Sequence, residues 1–176
     1  SSLYISKYHR YIEELLVSPI ENYTILAGFI TGGIIRGLSV GVVVILAAQF
    51  FVTFTVHNIF LMLAVILLSS TLFSMCGFLN GLFASDWDDI NVVPTFIMTP
   101  LTYLGGIFFS ISMLPGIWQD IALINPILYL INALRFSMLG ISDVSVSFAF
   151  FIIIAFNILL ATLCLYFLSV GKGLRT

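Results

Sequence analysis

Four long apolar runs constrain the fold of this chain more than any other feature of its sequence. A membrane-spanning helix needs about 20 mainly apolar residues, and the runs at 24–55, 59–84, 91–112 and 148–170 reach that length. Only 8% of the residues are charged, against about 25% in soluble proteins. Because the backbone inside hydrocarbon must satisfy its own hydrogen bonds, as a helix does, we predict an all-α, polytopic membrane protein with about four transmembrane helices.

Composition and motifs argue against several functions. The net charge of −2 gives no support for a basic surface that binds nucleic acid. Cys76 and Cys164 lie inside apolar runs without a CxxC motif, so neither a metal site nor a disulfide is predicted. The sequence contains no GxxxxGK(S/T) phosphate loop, HExxH or GxSxG motif. We therefore predict that the chain is not an enzyme and binds no cofactor itself.

The segment 7–17 is predicted to form a short amphipathic helix. Apolar residues such as Tyr8, Ile12 and Leu15 fall on one helical face and charged residues fall on the other. The helix is too short to cross a bilayer, and its pattern alone favours a position in the membrane interface. The charged residues are Lys7, Arg10, Glu13 and Glu14.

The first apolar run contains one charged residue, Arg36, and a series of glycines. Counting back about 20 residues from the polar pair His57 and Asn58 places Arg36 near the inner membrane boundary, where its side chain would snorkel. The alternative is that Arg36 faces the mouth of a substrate pathway and attracts an anionic group. The glycines recur at spacings near four, which permits close helix packing: Gly28, Gly32, Gly33, Gly37 and Gly41.

Three carboxylates, Asp86, Asp88 and Asp89, follow the second run just before a predicted helix start. Carboxylates in that position stabilise the positive end of the helix dipole. The alternative is a contact with a protein partner in the cytoplasm. A cation site is not favoured, because no other oxygen ligands converge in the sequence.

The third run combines two prolines with a polar stripe on one helical face. Threonine hydroxyls can bond the carbonyls that Pro94 and Pro100 leave without partners. Polar groups at membrane depth are also tolerated where they face a cavity, so the stripe is a candidate lining of a substrate pathway. It consists of Thr95, Thr99, Thr102 and Tyr103.

The segment 115–141 is apolar but too interrupted for a simple span. Asn125 and Pro126 divide it into two short helical pieces. Its two charged residues, Asp120 and Arg135, are candidates for an ion pair.

The basic residues predict the orientation. About four crossings place both ends of the chain on one side. Lys7, Arg10, Lys172 and Arg175 then share that side, with Arg135 opposite, so the positive-inside rule places both termini in the cytoplasm.

Three segments carry a family resemblance: YIEELLVSPI near the start, NGLFASDWDDI, and PTFIMTPLTYLGGIFFSISMLPGIWQDIALINPILYLINALRFSMLGISDV. In combination they resemble the ATP-binding cassette (ABC) type-2 permeases, which include the YadH-like inner-membrane exporter subunits and the nodulation-factor export permeases. That family has an interfacial helix and a first pair of spans before the EELL segment. We therefore expect this chain to be the C-terminal portion of a longer subunit.

The resemblance implies a permease subunit of an ATP-driven exporter in the bacterial inner membrane. Segment 7–17 would be a coupling helix that docks on a separate ATPase subunit, where ATP and Mg²⁺ would bind. Segment 115–141 would be a re-entrant hairpin that enters from the outer face. Two permease copies, surrounded by membrane lipid, would enclose the substrate route. The expected coupling residues are Lys7, Arg10, Glu13, Glu14, Asp86, Asp88 and Asp89, and the expected pathway residues are Thr95, Thr99, Thr102, Tyr103 and Arg36.

The alternative function is a passive channel or a membrane assembly scaffold without ATPase coupling. A channel is expected to show a repeated filter or a ring of charges, and we find neither in the sequence. A scaffold would not need the threonine stripe or the proline breaks.

Overall fold

The computed structural model describes residues 4–5, 20–51, 56–84, 86–108 and 110–171, without the side chains of Trp87 and Ser112. Segment 7–17, with Lys7, Arg10, Glu13 and Glu14, lies outside the described residues. Every regular element within them is helical, which confirms the all-α prediction. The elements are α1 (Asn22–Gln49), α2 (Ile59–Phe83), α3 (Trp87–Val92), a π-helix (Val93–Met98), α4 (Thr99–Leu104), a 3₁₀-helix (Ile111–Met113), α5 (Gly116–Ile124), α6 (Pro126–Leu139) and α7 (Val146–Val170).

Within this part of the chain, three helices are long and apolar enough to cross a membrane. They are α1 with 28 residues and α2 and α7 with 25 residues each. The pair α5 and α6 meets the same criterion as a unit, which gives up to four spans. The predicted polytopic membrane fold is therefore confirmed. The runs predicted at 24–55, 59–84 and 148–170 correspond to α1, α2 and α7.

Helix α2 is the centre of the bundle and contacts α1, α6 and α7. Gly33 of α1 lies against Ser74 of α2, and Gly37 lies against Ser70. The residue numbers rise in one helix as they fall in the other, so α1 and α2 are antiparallel.

Helices α2 and α7 run in the same direction. The Asn157 side chain donates a hydrogen bond to the Leu68 carbonyl at 3.4 Å. The Cys164 thiol approaches the Met75 carbonyl, which lies about two turns further along both helices. The start of α1 and the ends of α2 and α7 therefore lie at one end of the bundle.

The opposite end joins the start of α2 to the end of α6. The backbone N–H groups of His57 and Asn58 donate to the carbonyls of Met138 and Ser137 at 3.1 and 2.9 Å. Two buried apolar clusters fill the bundle between these ends. The first consists of Leu26, Met75, Phe78, Leu82, Cys164 and Leu168. The second consists of Val65, Leu72, Ala122, Leu128, Tyr129, Leu130, Ala133, Ala149 and Ile153.

Trp87–Leu104 forms a helix that changes type twice, which we call the broken helix. It passes from α3 through the π-helix into α4. Pro94 and Pro100 have no N–H to give to the carbonyls four residues earlier. In the wider π-turn, the Thr99 N–H instead reaches the Pro94 carbonyl.

The broken helix ends at Leu104, so the predicted span at 91–112 has the wrong end. Gly105 caps the helix, and Gly106 has a φ of 82°, which favours glycine over residues with a side chain. A Cβ added to Gly105 would lie 2.7 Å from Cδ1 of Ile131 in α6. The chain therefore turns here because the backbone packs closely against α6.

Helices α5 and α6 meet at an angle of 87° and form what we call the bent hairpin. They break at Asn125, which is 3% exposed. The Asn125 side chain accepts a hydrogen bond from the Ile127 N–H at 3.0 Å and donates one to the Leu101 carbonyl at 2.6 Å. One amide therefore caps α6 and fastens the hairpin to the last turn of the broken helix.

Candidate functional site

The broken helix holds three of the four threonine-stripe residues around one small cavity. Thr99, Thr102 and Tyr103 line a volume of about 290 Å³, which we call the Thr99 cavity. Thr95, which the structure also describes, lies outside it. The remaining lining residues are Met98, Ile107 and Phe108.

The threonine hydroxyls in this cavity bond the backbone of their own helix. Thr99 donates to the Pro94 carbonyl at 2.9 Å, and Thr102 donates to the Met98 carbonyl at 2.7 Å. The Tyr103 ring stacks on Phe108 with 5.7 Å between ring centroids. Threonine back-bonding is therefore present, but it reaches the Pro94 and Met98 carbonyls and not the Ile90 and Phe96 carbonyls that the prolines leave without an α-helical donor. The cavity keeps an aromatic face with hydroxyl oxygens that can still accept hydrogen bonds.

Asn80 of α2 repairs the break that Pro94 makes. The Ile90 carbonyl lies four residues before Pro94 and so cannot receive an α-helical hydrogen bond from it. Asn80 donates its side-chain N–H to this carbonyl at 2.8 Å. The sequence analysis missed this role, although an amide in the run that precedes a proline-containing helix was an available signal.

Arg135 of the bent hairpin pairs with Asp143 rather than with Asp120, so the ion pair suggested from the sequence is wrong. Nη1 of Arg135 lies 3.1 Å from Oδ2 of Asp143, and Nη2 donates to the Gly106 carbonyl. The buried Asn132 side chain accepts a hydrogen bond from the Asp143 N–H at 2.9 Å. Asp143 follows α6 in a turn, and the guanidinium can reach both this turn and Gly106.

Asp143 is held in its ionised form. Burial opposes the charge, but the Ser110 hydroxyl at 2.7 Å, the Ile111 N–H at 3.2 Å and the Arg135 guanidinium together lower its pKa from the ordinary value of 3.8. These contacts tie the segment after the broken helix to the turn before α7. We call Ser110, Asn132, Arg135 and Asp143 the Arg135 cluster.

A larger groove runs between α1 and α2, with a volume of about 640 Å³. It lies beside the close contacts of Gly33 and Gly37 with α2, where an added Cβ at Gly32 or Gly77 would meet no atom within 4 Å. We call it the Arg36 groove. Its lining residues are Phe29, Gly32, Gly33, Arg36, Gly37, Val40, Ser69, Ser70, Phe73, Ser74, Gly77 and Phe78.

Arg36 lies at the middle of α1, whereas the sequence predicted a position near the inner end of the span. At 1.5 Å per residue, Arg36 is about 20 Å from either end of α1. The adjacent Gly37 lies against Ser70, near the middle of the uncharged α2. The sequence prediction counted back from residue 57, whereas α1 already begins about four turns before Arg36.

The acidic turn caps the broken helix. Asp86 is the N-cap residue, and its N–H donates to Oδ2 of Asp89 at 3.2 Å in a reciprocal capping box. Asp88 lies exposed in the first helical turn. This end of the bundle is the one at which α1 begins. The helix-dipole interpretation therefore accounts for Asp86 and Asp89, and the exposed carboxylates remain accessible to a partner.

The structure does not gather the predicted pathway residues into one site. The Thr99 cavity and the Arg36 groove share no lining residue. One is an aromatic surface with hydroxyls, and the other contains a guanidinium at the middle of α1. The first suits contact with weakly polar or apolar groups, and the second suits an anion.

Comparisons with known proteins are consistent across nearly the whole chain. The model of the ABC-2 type transporter family matches residues 1–139. The chain is 44% identical over 176 residues to the inner membrane transport permease YadH of Escherichia coli K12, with 100% of this chain and 69% of that protein covered. The YadH proteins of Escherichia coli O157:H7 and Shigella flexneri match to the same extent. No solved structure matches.

Proposed function

The chain belongs to the ABC-2 type transporter family and is a multi-pass inner-membrane transport permease subunit, and we propose that it is the membrane part of an ATP-driven exporter. In this proposal a separate ATPase subunit binds ATP and Mg²⁺, and two copies of the permease enclose the substrate route. The family match over residues 1–139 is the observation that carries the proposal.

Segment 7–17 acts as the coupling helix in this mechanism. It precedes α1 with only a short connection, and α1 begins at the same end of the bundle as Asp86, Asp88 and Asp89. With both termini in the cytoplasm, Lys7, Arg10, Glu13, Glu14 and the acidic turn face the ATPase. Movement of the segment would then be transmitted to α1.

The energy for switching comes from the ATPase, not from the permease. An ATPase dimer that binds two conformations of the permease with different affinity shifts the equilibrium between them. The broken helix and the bent hairpin supply elements that can adopt alternative arrangements. Thr95, Thr99, Thr102, Tyr103 and Arg36 lie on helices that would line the route.

Charge reversal in segment 7–17 tests the coupling. Glu13→Lys combined with Glu14→Lys should abolish co-purification with the ATPase subunit, because carboxylates of the docking surface become cations. Glu21→Lys is the control, since it reverses a charge outside the segment and should leave association intact. Unchanged association of the double variant, or labelling of the segment from the outer side of the membrane, would argue against the assignment.

Substitution of the Thr99 cavity tests the pathway separately. Thr99→Leu combined with Tyr103→Leu should keep the ATPase bound but impair export. The material to follow is the one that accumulates inside cells lacking the protein, and its export is compared between the wild type and the double variant. Normal export would remove both residues from the pathway. Transport that continues in the absence of ATP would favour the passive channel instead.

A further inference from the structure

Arg36 is a charged side chain at the middle of α1, level with the middle of α2, and both helices are long and apolar enough to cross a membrane. Among the residues that the structure describes, it takes part in no ion pair or hydrogen bond. A charge at this depth is costly, and such residues mark substrate or ion pathways when they are retained. The side chain lines the Arg36 groove, so an anion in the groove would lower that cost.

The groove offers a second donor beside the guanidinium. Ser69 donates to the Ile66 carbonyl at 3.0 Å, and Ser74 donates to the Phe29 carbonyl at 3.4 Å. The Ser70 hydroxyl has no hydrogen bond within the described part of the chain, and it lies opposite Gly37, next to Arg36. A guanidinium and a hydroxyl together suit the oxygens of a phosphate or carboxylate.

The walls of the groove suit an amphiphile rather than a free ion. Phe29, Phe73 and Phe78 provide aromatic surface around the polar centre. The neighbouring Ile35 and Val40 are 60% and 58% exposed on α1. A volume of about 640 Å³ lies within the usual range of ligand sites, about 300–1,000 Å³. A water-soluble anion has no route to this depth along an apolar helix face, whereas a molecule dissolved in the bilayer does.

We propose that the Arg36 groove binds the oxyanion head of a membrane amphiphile through Arg36 and Ser70, and that the cargo of the transporter belongs to this class. The binding site stands on the geometry of α1 and α2, and its assignment to cargo rests on the proposed function. Apolar chains of the amphiphile lie along the exposed face of α1.

Spin-labelled lipids test the site directly. The protein is reconstituted in phosphatidylcholine vesicles containing spin-labelled phosphatidic acid, stearic acid or phosphatidylcholine, and the immobilised fraction of each is measured. Charge-assisted hydrogen bonds predict a preference of about tenfold for an anionic probe over phosphatidylcholine. Arg36→Gln should abolish the preference, and Arg36→Lys should retain part of it because the charge remains without the forked geometry. The two anionic probes show whether phosphate or carboxylate is preferred.

Two glycine variants separate binding in the groove from general attraction to basic residues. A Cβ at Gly32 or at Gly41 meets no atom within 4 Å, so leucine is expected to fit at both positions. Gly32 lines the groove and Gly41 does not. Gly32→Leu should therefore abolish the preference and Gly41→Leu should preserve it. Raising the salt concentration should have little effect, since salt screens charges in water much more than a charge surrounded by hydrocarbon.

Three results would overturn the site. They are equal immobilisation of anionic and zwitterionic lipid by the wild type, an unchanged preference in Arg36→Gln, and loss of the preference in high salt. Dissociation of a permease dimer by Gly32→Leu, without any lipid preference, would show that a second copy covers the groove.

Addition of the ATPase subunit separates this inference from the exporter proposal. ATP-dependent transfer of labelled phosphatidic acid or stearic acid across the bilayer, lost in Arg36→Gln, would support both. Binding of the amphiphile without ATP-dependent transfer would contradict its role as cargo and leave the site intact. Export of other material by Arg36→Gln at the wild-type rate would support the exporter and reject Arg36 as a cargo contact.

Discussion

The contact between α1 and α2 and the contact between the broken helix and the bent hairpin are built in opposite ways. Gly33 and Gly37 bring α1 close to α2 by having no side chain, and serines face them. One of these serines, Ser74, also donates to the Phe29 carbonyl of α1 at 3.4 Å. The broken helix is instead held mainly by polar side chains that reach its backbone. Asn80 donates to Ile90, Asn125 to Leu101 and Arg135 to Gly106.

The difference follows from where backbone groups are satisfied. An intact membrane helix satisfies its own N–H and C=O groups, so its neighbours need only fit its shape. Prolines and turns release carbonyls, which are costly in hydrocarbon unless another group donates to them. Asn80 and Arg135 therefore stand where Pro94 and the turn at Gly106 interrupt the helix, while Asn125 adds a second donor to the Leu101 carbonyl, which also accepts the Gly105 N–H at 2.8 Å. Together these bonds fix one arrangement of these segments.

Removal of the Asn125 side chain should have the largest effect on stability. Asn125→Ala loses the cap of α6 and the donor to Leu101, which together predict a decrease of about 2 kcal/mol in the free energy of unfolding. Unfolding of the detergent-solubilised protein by a denaturing detergent measures this change.

Asn125→Asp is the matched variant for that experiment. Its carboxylate still accepts from the Ile127 N–H but cannot donate to Leu101, so about half of the destabilisation should remain. Equal stability of the wild type and Asn125→Ala would show that directional bonds do not hold the hairpin.

A methyl group on the close side of α1 should have an intermediate effect. A Cβ at Gly33 would lie 2.2 Å from Oγ of Ser74, so Gly33→Ala forces the helices to adjust. The cost of overpacking, partly offset by the better helix propensity of alanine, predicts a net loss of about 1 kcal/mol in the same unfolding assay.

Two further variants sharpen the glycine test. Gly32→Ala, at a position with open space for a Cβ, should be neutral or stabilising because only the helix propensity changes. Ser74→Gly should partly rescue Gly33→Ala by removing the group that it meets. Equal effects at Gly32 and Gly33 would contradict close packing as the basis of the contact.

The sequence predicts the parts of this molecule in which local pattern decides the structure. The uncharged runs of α2 and α7 specify spans because no other arrangement satisfies their backbone in a bilayer. Asn125 and Pro126 specify a helix boundary through cap and ring geometry. The bond from Thr102 to the Met98 carbonyl, four residues earlier, also follows from local spacing.

The remaining features depend on tertiary neighbours. The broken helix ends at Leu104, where its cap residue Gly105 packs against Ile131 of α6 with no room for a side chain. The apolar residues after Gly106 give no sign of this end in the sequence. Arg135 pairs with Asp143 because the chain turns after α6 and brings Asp143 back to it. Asp120 is further from Arg135 in the sequence and makes no ion pair with it. The depth of Arg36 is set by its alignment with α2, not by its distance from the end of its own run.

Neutralising the exposed carboxylate of the Arg135 cluster should have the smallest effect. The pKa of Asp143 is lowered in the folded protein, so its contribution to stability is fully present above the ordinary value of 3.8 and is lost as the pH falls through the lowered folded-state value. Because the ion pair is partly solvated, Asp143→Asn should cost less than about 1 kcal/mol at neutral pH. The difference from the wild type should disappear in acid, once the wild-type carboxyl is protonated.

Asp120→Asn is the control, since Asp120 has no ion pair in the described structure and its removal should leave the pH dependence of the melting temperature unchanged. An equal response of the two variants would show that the cluster adds nothing to the bonds that Asn125 and Asn80 already make.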